Sequence, residues 1–332
     1  MTVPFSSFPD APDEALSPLL EELLTEEDFR PVYQEADRVR RETVGDTVHI
    51  RALLEFSNHC RRRCRYCGLN ASHREIQRYR MTAEEILDTA GEAARAGYRT
   101  LVMQSGEDPG FSLPLLGDLI REIKARTGMA VTVSCGEREE AEYAFLRRCG
   151  ADRYLLKHET ADPVLYGRLH PCGTLDNRVA CLRTLKRLGF ETGGGFMIGL
   201  PGQTPAVVAE DLLLLRSIPC DMAGIGPFIP HPATALRNCP NGSTEMTKRA
   251  VALARLLLPG AHLPATTALG VLNGQEKNDV FSCGANVVMK KITPDKYKAL
   301  YEIYPSPWGR TDIAGERRLL EQQIRALGRV PQ

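Results

Sequence analysis

The sequence predicts an α/β protein, a complete (β/α)8 TIM barrel with an N-terminal helical extension. From about Val48 onward, short apolar runs alternate with longer amphipathic runs, which is typical of a parallel sheet covered by helices. Eight apolar runs can be distinguished, and eight βα units over about 250 residues match the size of a closed barrel. A doubly wound open sheet is the alternative fold that this pattern allows.

Residues 1–46 are expected to form the helical extension, because leucines recur there at helical spacing, and residues 47–332 the barrel with a C-terminal helix. Thr82 and Thr204 are expected N-caps. The segment Val271–Asp279 is predicted to be more loop than helix. The predicted strands are His49–Phe56, Thr100–Gln104, Ala130–Ser134, Arg153–Lys157, Glu191–Ile198, Met222–Gly226, Leu263–Ala268 and Ala285–Met289. The predicted helices are Ala83–Ala96, Leu113–Arg126, Glu139–Arg148, Leu175–Leu188, Pro205–Ser217, Thr244–Leu258, Pro294–Tyr304 and, outside the barrel, Gly315–Leu327.

Composition narrows the function classes. The 332 residues include 42 basic and 42 acidic side chains, so the formal net charge is +0 and no nucleic-acid or membrane partner is indicated. No apolar run approaches the roughly 20 residues of a membrane helix. Residues 1–10 lack the pattern of a secretory signal, so we expect a cytoplasmic protein. Its ten cysteines should then be free thiols or metal ligands.

Three cysteines with the spacing C-x-x-x-C-x-x-C carry most of the functional information. Cys60, Cys64 and Cys67 follow the first predicted strand directly, which places them in a loop at the catalytic face of a barrel. Three thiolates can hold three irons of a cubane cluster and leave the fourth iron open to a small molecule. A structural zinc site remains an alternative, with His59 or His73 as the fourth ligand. The interleaved arginines would lower the cost of a negative cluster.

With Tyr66 before its last cysteine, the triplet resembles the signature of the radical S-adenosylmethionine (SAM) superfamily. The resemblance implies that the three thiolates bind a [4Fe–4S] cluster, that the open iron chelates SAM, and that one electron cleaves SAM to methionine and a 5′-deoxyadenosyl radical. Further runs at strand ends extend it over residues 48–305 to the biotin-synthase-like branch, and most closely to the HydE-like maturases of [FeFe]-hydrogenase, which have a complete barrel. These runs are Gln104–Asp108, Ser134–Glu137, Arg153–Thr160, Gly199–Thr204, Gly224–Pro232, Pro264–Gly270 and Cys283–Met289.

The resemblance also implies roles for individual residues. Tyr66 should pack beside the adenine or the cluster, and Ser105 and Glu107 should lie near the methionine end of SAM. Ser134 and Glu159 should be polar contacts of SAM, and Arg178 should pair with its carboxylate through a planar fork. The predicted substrate pocket deeper in the barrel is formed by Lys157, Thr266, Thr267, Met222, Met289 and Tyr301. Lys157 replaces an expected arginine and so loses the bidentate fork.

The implied activity is assembly of the hydrogenase diiron subcluster, acting on a small iron–cysteine complex bearing CO and cyanide. The expected partners are this small molecule inside the barrel, an electron donor and other hydrogenase maturation proteins. No cysteine follows Cys283, so no second cluster is expected near the C-terminus, and the other cysteines show no paired spacing, which disfavours biotin synthesis. The alternatives are a methylornithine-synthase-like mutase or C–H-activating enzyme and, in another class, a non-catalytic metal-binding protein.

Overall fold

The computed structural model describes residues 3–306 and 309–332, apart from the side chains of residues 276 and 277. Its centre is a sheet of eight parallel strands: β1 Thr47–Ser57, β2 Thr100–Ser105, β3 Ala130–Ser134, β4 Arg153–Leu155, β5 Glu191–Gly194, β6 Met222–Ala223, β7 Pro264–Ala265 and β8 Val287–Lys291. Their order in the sheet is β6-β5-β4-β3-β2-β1-β8-β7. A short ninth strand, Val330–Pro331, pairs in parallel with the start of β1.

The two edge strands approach each other, so the sheet is a nearly closed barrel. Met222 in β6 forms a parallel bridge with His262, just before β7. The Ala223 N–H donates to the His262 carbonyl at 3.0 Å. An open doubly wound sheet would leave these edges far apart, so this contact favours the barrel over that alternative.

Strands β4 to β7 are shorter than the sequence predicts. In the fifth unit, Gly195 has φ 146° and ends β5, and the chain resumes as Met197–Ile198. That segment pairs with Gly226–Pro227 in a separate two-stranded sheet. Each predicted strand in this region was therefore too long, because apolar residues continue past the last ladder hydrogen bond.

Thirteen α-helices are described: α1 Asp13–Thr25, α2 Arg30–Val44, α3 Ala83–Arg95, α4 Leu113–Thr127, α5 Glu140–Arg148, α6 Pro163–Leu169, α7 Leu175–Arg187, α8 Pro205–Ser217, α9 Thr244–Leu257, α10 Thr267–Leu272, α11 Gly274–Asp279, α12 Asp295–Lys298 and α13 Ile313–Ala326. As expected, Thr82 caps α3 through a capping box with Glu85, and Thr204 caps α8 by accepting from the Val207 N–H.

The predicted helices differ from the structure at three places. The predicted helix Pro294–Tyr304 is reduced to the single turn of α12. The segment predicted as loop holds the last two residues of α10, which begins just after the short strand β7, and all of α11. Helix α6 was not predicted, although Asp162 caps it and Pro163 opens it.

Helices α1 and α2 pack on the outside of the barrel against α8 and α9. Leu16, Leu20 and Leu24 are fully buried in the same hydrophobic core as the strands. Arg216 of α8 donates to the Phe8 carbonyl at 2.8 Å, which fixes the start of this layer. No helix of the described residues is both long and apolar enough to cross a membrane.

Candidate active site

A cavity of about 220 Å³ opens at the C-terminal ends of the strands. Its walls are mainly apolar, and its polar groups come from the strand ends. Two lysine–carboxylate pairs stand out among them: Lys157 Nζ lies 3.0 Å from Glu159 Oε2, and Lys291 Nζ lies 2.9 Å from Glu55 Oε1. An apolar cavity with a few convergent charged groups is the usual form of a small-molecule site.

The cysteine loop begins where β1 ends and is held tightly against the barrel. Its close approaches depend on two glycines. A Cβ at Gly106 would lie 2.6 Å from the Cys60 Cβ and would also collide with the His59 carbonyl. A Cβ at Gly68 would collide with Glu302 and with the His231 ring. Both positions therefore require glycine for the loop to sit this close.

The chemistry of the three thiols suits an iron–sulfur cluster, whereas no group of three Cys, His, Asp or Glu side chains among the described residues is arranged to hold a single metal ion such as zinc. Burial raises the pKa of each thiol, and for Cys64, whose neighbour Cys60 adds repulsion between like charges, the pKa rises to about 12. Backbone amides of Arg62 and Glu107 act on Cys60, and that of Leu69 on Cys67, in the direction that favours the thiolate. Grouped thiols with amide donors suit soft iron ligation, in which the metal charge offsets burial. Among the histidines proposed for zinc, His73 has its Nδ1 2.7 Å from the Gly68 carbonyl.

Glu159 carries an unusual backbone conformation. Its φ is 68°, in the left-handed region that costs a non-glycine residue about 1–2 kcal/mol. The Glu159 N–H donates to the Gly195 carbonyl at 3.0 Å, and the Met197 N–H donates to the Glu159 carbonyl at 3.1 Å. These bonds hold the turn and direct the carboxylate into the cavity beside Lys157. Strain that the surroundings maintain at a cavity wall is typical of functional positions.

Tyr66 lines the same cavity and is oriented by His170. The Tyr66 hydroxyl lies 3.0 Å from His170 Nε2, and His170 Nδ1 lies 3.2 Å from the Tyr166 carbonyl. Burial, and then nearby Arg178, lower the pKa of His170 to about 3, so the ring is neutral. Because a carbonyl only accepts, Nδ1 carries the proton, and Nε2 accepts from Tyr66.

Arg178 lies next to the cysteine loop, but most of its fork is already engaged. Its Nε donates to Glu137 at 2.6 Å and its Nη1 to the Lys157 carbonyl at 2.5 Å. Glu137 also accepts from Arg62 at 2.8 Å and from Asn177 at 2.7 Å. Within the described part of the chain Nη2 has no hydrogen-bond partner, so the predicted pairing with a SAM carboxylate would use Nη2 and the second N–H of Nη1 rather than Nε.

Replacing Glu137 by glutamine should destabilise the fold by about 3 kcal/mol, because the buried Arg178 charge loses its counter-charge. Burial alone would raise the pKa of Glu137, but Arg178 and Arg62 outweigh it and hold that pKa below its ordinary value, so the carboxylate is charged. Urea unfolding at neutral pH measures the change. Glu122→Gln, at an exposed pair with Arg126, is the control and should change stability by less than about 1 kcal/mol. Equal effects of the two substitutions would contradict this role.

The structure does not direct the Glu107 carboxylate into the cavity. Its Oε2 accepts from Arg62 at 2.5 Å and from Arg61 at 3.1 Å, and its Oε1 accepts from the Glu137 N–H at 2.9 Å. Both oxygens therefore anchor the cysteine loop. The contact of this side chain with the methionine end of SAM stays a prediction, in which SAM would share the carboxylate with the arginines of the loop.

Of the remaining predicted residues, five line the cavity and three do not. The Ser105 hydroxyl donates to the Gly106 carbonyl at 2.7 Å. Ser134 ends β3 opposite Gln104 and is not part of the cavity wall. Tyr301 is buried behind the wall, where its hydroxyl accepts from Gln104 at 3.2 Å, and Tyr304 lines the cavity instead. Those that do line it are Lys157, Met222, Thr266, Thr267 and Met289.

Sequence reasoning missed the pair of Glu55 and Lys291. Glu55 is almost fully buried, and it also accepts from Thr293 at 3.2 Å. Burial raises its pKa, which Lys291 opposes. The available signal was an acid inside the apolar run of the first strand, since a carboxylate is rarely buried without a partner. Sequence reasoning also missed that Glu137 accepts hydrogen bonds from Arg62, Asn177 and Arg178, although Glu137 is the last residue of the run Ser134–Glu137.

His158 predicts a pH dependence of stability. Burial, and then Lys157 and Arg178, lower its pKa from 6.5 to about 3. The unfolded state therefore binds more protons below pH 6.5, and stability that is complete above this pH declines as the pH falls. From pH 7 to pH 5 the loss should be about 2 kcal/mol for this one residue.

Urea unfolding at the two pH values tests the prediction with His158→Leu. Neither His158 nitrogen forms a hydrogen bond with a described residue, although Nε2 lies 3.4 Å from Asp211 Oδ1. Asp211 keeps its hydrogen bonds to the Ala161 N–H and to Gln203. The variant should therefore lose about 2 kcal/mol less than the parent between pH 7 and pH 5. An unchanged difference would contradict a neutral buried His158.

Comparison with known proteins identifies the family. Residues 54–215 match the radical SAM superfamily. The chain is 50% identical over 274 residues to the [FeFe] hydrogenase maturase subunit HydE of Thermotoga maritima, covering 82% of this chain and 78% of that protein. It is 27% identical over 285 residues to a 3-methylornithine synthase of Methanosarcina acetivorans, covering 85% and 80% of the two chains. Biotin synthases also match.

A crystal structure of methylornithine synthase (PylB) has the same fold, with a TM-score of 0.86 and 24% identity over 99% of this chain and 96% of that one. The cysteine loop beside the cavity and the 50% identity to HydE both indicate a radical SAM enzyme. The cofactors are a [4Fe–4S] cluster and SAM. The chain belongs to the radical SAM superfamily and, within it, to the family of HydE-like enzymes.

Proposed function

We propose that this enzyme cleaves SAM reductively during maturation of [FeFe]-hydrogenase, acting on a small iron–cysteine complex that bears CO and cyanide. The observation that carries the proposal is the cavity lined both by Tyr66 of the cysteine loop and by the two lysine–carboxylate pairs, Lys157 with Glu159 and Lys291 with Glu55. The 50% identity to a HydE maturase supports the choice of reaction.

Each residue of the site would have a simple physical task. Cys60, Cys64 and Cys67 would hold the cluster, and when bound, cluster and SAM together supply one-electron cleavage to methionine and a 5′-deoxyadenosyl radical. Tyr66, fixed by its hydroxyl, would pack beside the adenine or the cluster, and Glu159 would accept hydrogen bonds from SAM. The apolar cavity walls would exclude water from the radical.

Recognition of the substrate would fall to the polar groups of the cavity wall. Lys157 and Lys291, each paired with a carboxylate, line the cavity, and Thr266 and Thr267 add hydroxyl groups. The Thr266 hydroxyl is buried and has no hydrogen-bond partner among the described residues. A small anionic complex would satisfy these groups. Met222 and Met289 would supply adaptable walls, and Tyr301 would support Gln104 from behind.

The remaining assignments follow from the family. We propose that the barrel is complete, that residues 1–46 form an extension and residues 47–332 the catalytic unit, and that the enzyme works in the cytoplasm with other maturation proteins. A 3-methylornithine synthase activity is the second candidate, favoured by the closeness of the fold.

Cluster-loaded enzyme with dithionite and SAM tests the proposal. We expect 5′-deoxyadenosine to accumulate, faster with the iron–cysteine complex than without it. A matched reaction with the complex lacking CO and cyanide should show no stimulation. Formation of 3-methylornithine from an amino acid would overturn the maturase in favour of the mutase, and failure to form 5′-deoxyadenosine would overturn both.

A further inference from the structure

The segment that carries the cysteines is strongly basic in a chain that is neutral overall. Residues 57–80 contain seven arginines and one acidic residue, Glu75, whereas the whole chain has 42 basic and 42 acidic residues. Four of the seven stabilise the fold. Arg61 and Arg62 pair with Glu107, Arg80 pairs with Asp108, and Arg78 donates to backbone carbonyls of the segment itself.

The other three arginines have no such role. Arg63, Arg65 and Arg74 are exposed, and their side chains form no ion pair or hydrogen bond with any residue in 3–306 or 309–332. Arg168 continues the surface, since the Arg65 N–H donates to the carbonyl of the next residue, Leu169, at 2.9 Å, and Arg168 is likewise exposed and unpaired among these residues. We call these four arginines the arginine rim.

The arginine rim is joined to the cysteine loop: two of its members lie in that loop, Arg168 precedes the residue whose carbonyl binds it, and the stretch before Arg74 is tied to it where the Ala71 N–H donates to the Arg62 carbonyl at 2.7 Å. Arg63 and Arg65 flank Cys64 directly, and all three cysteines are only partly covered. The arginine rim therefore includes the exposed residues that are closest to the thiols in the sequence. Unpaired cations gathered on one surface raise the rate at which an acidic partner associates and orient it on arrival.

We propose that the arginine rim is the docking surface for a small one-electron donor protein with an acidic face. The inference rests on the proposed function, because only reductive cleavage of SAM requires a donor that delivers an electron to the cluster. One electron passes from the reduced donor to the oxidised cluster; the donor is oxidised by one electron, the cluster is reduced by one, and no bond or proton changes. Coulombic docking of this kind weakens as salt screens it.

The test uses cluster-loaded enzyme and an acidic [2Fe–2S] ferredoxin as the probe. The double variant Arg63→Glu with Arg65→Glu should lower the association rate constant about tenfold or more at low salt and flatten its salt dependence. The control, Arg95→Glu with Arg148→Glu, makes the same charge change at exposed arginines in the last turns of α3 and α5 and should associate like the parent. Cleavage of SAM driven by dithionite should be equal in the parent and the control.

A second variant avoids the immediate neighbours of the cysteines. Arg74→Glu with Arg168→Glu should weaken association in the same direction even if the first variant loads iron poorly. Unchanged association in this variant, equal loss in the control, or no binding of ferredoxin to the parent would each overturn the docking surface. If dithionite gives no 5′-deoxyadenosine while binding still depends on the rim, the proposed function fails and the docking surface stands.

Discussion

Replacing Cys64 by alanine should abolish formation of 5′-deoxyadenosine and lower the iron content of the reconstituted enzyme. The parent should bind about four irons per chain. Cys64 is the central ligand of the triplet, and a cluster left with two thiolates loses the arrangement that leaves a single iron open. The measurement is iron analysis together with chromatography of the products from dithionite and SAM.

Cys172→Ala is the matched control for this substitution. Cys172 is an exposed thiol close to the same loop, where its backbone carbonyl, rather than its sulfur, accepts from Arg62. This variant should keep both the iron and the activity. Iron and product at parental levels in Cys64→Ala would show that the triplet does not bind the catalytic cluster.

Substitutions of Glu159 should have a second large effect, in which the stability of the fold and the affinity for SAM change independently. Glu159→Gly and Glu159→Ala both remove the carboxylate, so both should bind SAM at least about tenfold more weakly, the cost of one charge-assisted hydrogen bond. Alanine keeps the penalty of a φ of 68°, whereas glycine does not. The glycine variant should therefore be more stable than the alanine variant by about 1–2 kcal/mol.

Calorimetric SAM binding and urea unfolding measure the two effects. A suitable control position is Gly167, inside α6, where there is open space for a Cβ and no positive φ. There the order should reverse, with alanine more stable than glycine by roughly 0.5–1 kcal/mol. Alanine as stable as glycine at position 159 would argue against strain, and parental SAM affinity in both variants would remove Glu159 from the SAM site.

The sequence predicted the eight-strand count and the cysteine loop, because both depend on local patterns. Alternating apolar runs report which segments are buried, and three cysteines within eight residues are visible without any tertiary information. The ends of the strands were not predictable in the same way. Strand β5 ends before Gly195, whose φ is 146°, and β6 ends before Gly224, although the apolar residues continue.

The competition among charged groups in the site was also beyond the sequence. Glu107 and Arg178 have the residue types that a SAM contact requires, but the fold brings Arg62 and Glu137 between them. The left-handed conformation of Glu159 has no sequence signal, since it depends on bonds to residues 195 and 197. In contrast, Glu55 within an apolar strand could have been recognised as a buried carboxylate that needs a cation.

The central claim is that three thiolates leave one iron open and that SAM binds to it. Electron paramagnetic resonance of the dithionite-reduced, cluster-loaded enzyme, recorded with and without SAM, tests this claim most directly. We predict that the signal of the reduced cluster changes shape when SAM is added. Adenosine, which lacks the methionine group, should leave the signal unchanged. A spectrum that SAM leaves unchanged would contradict an open iron at the loop of Cys60, Cys64 and Cys67.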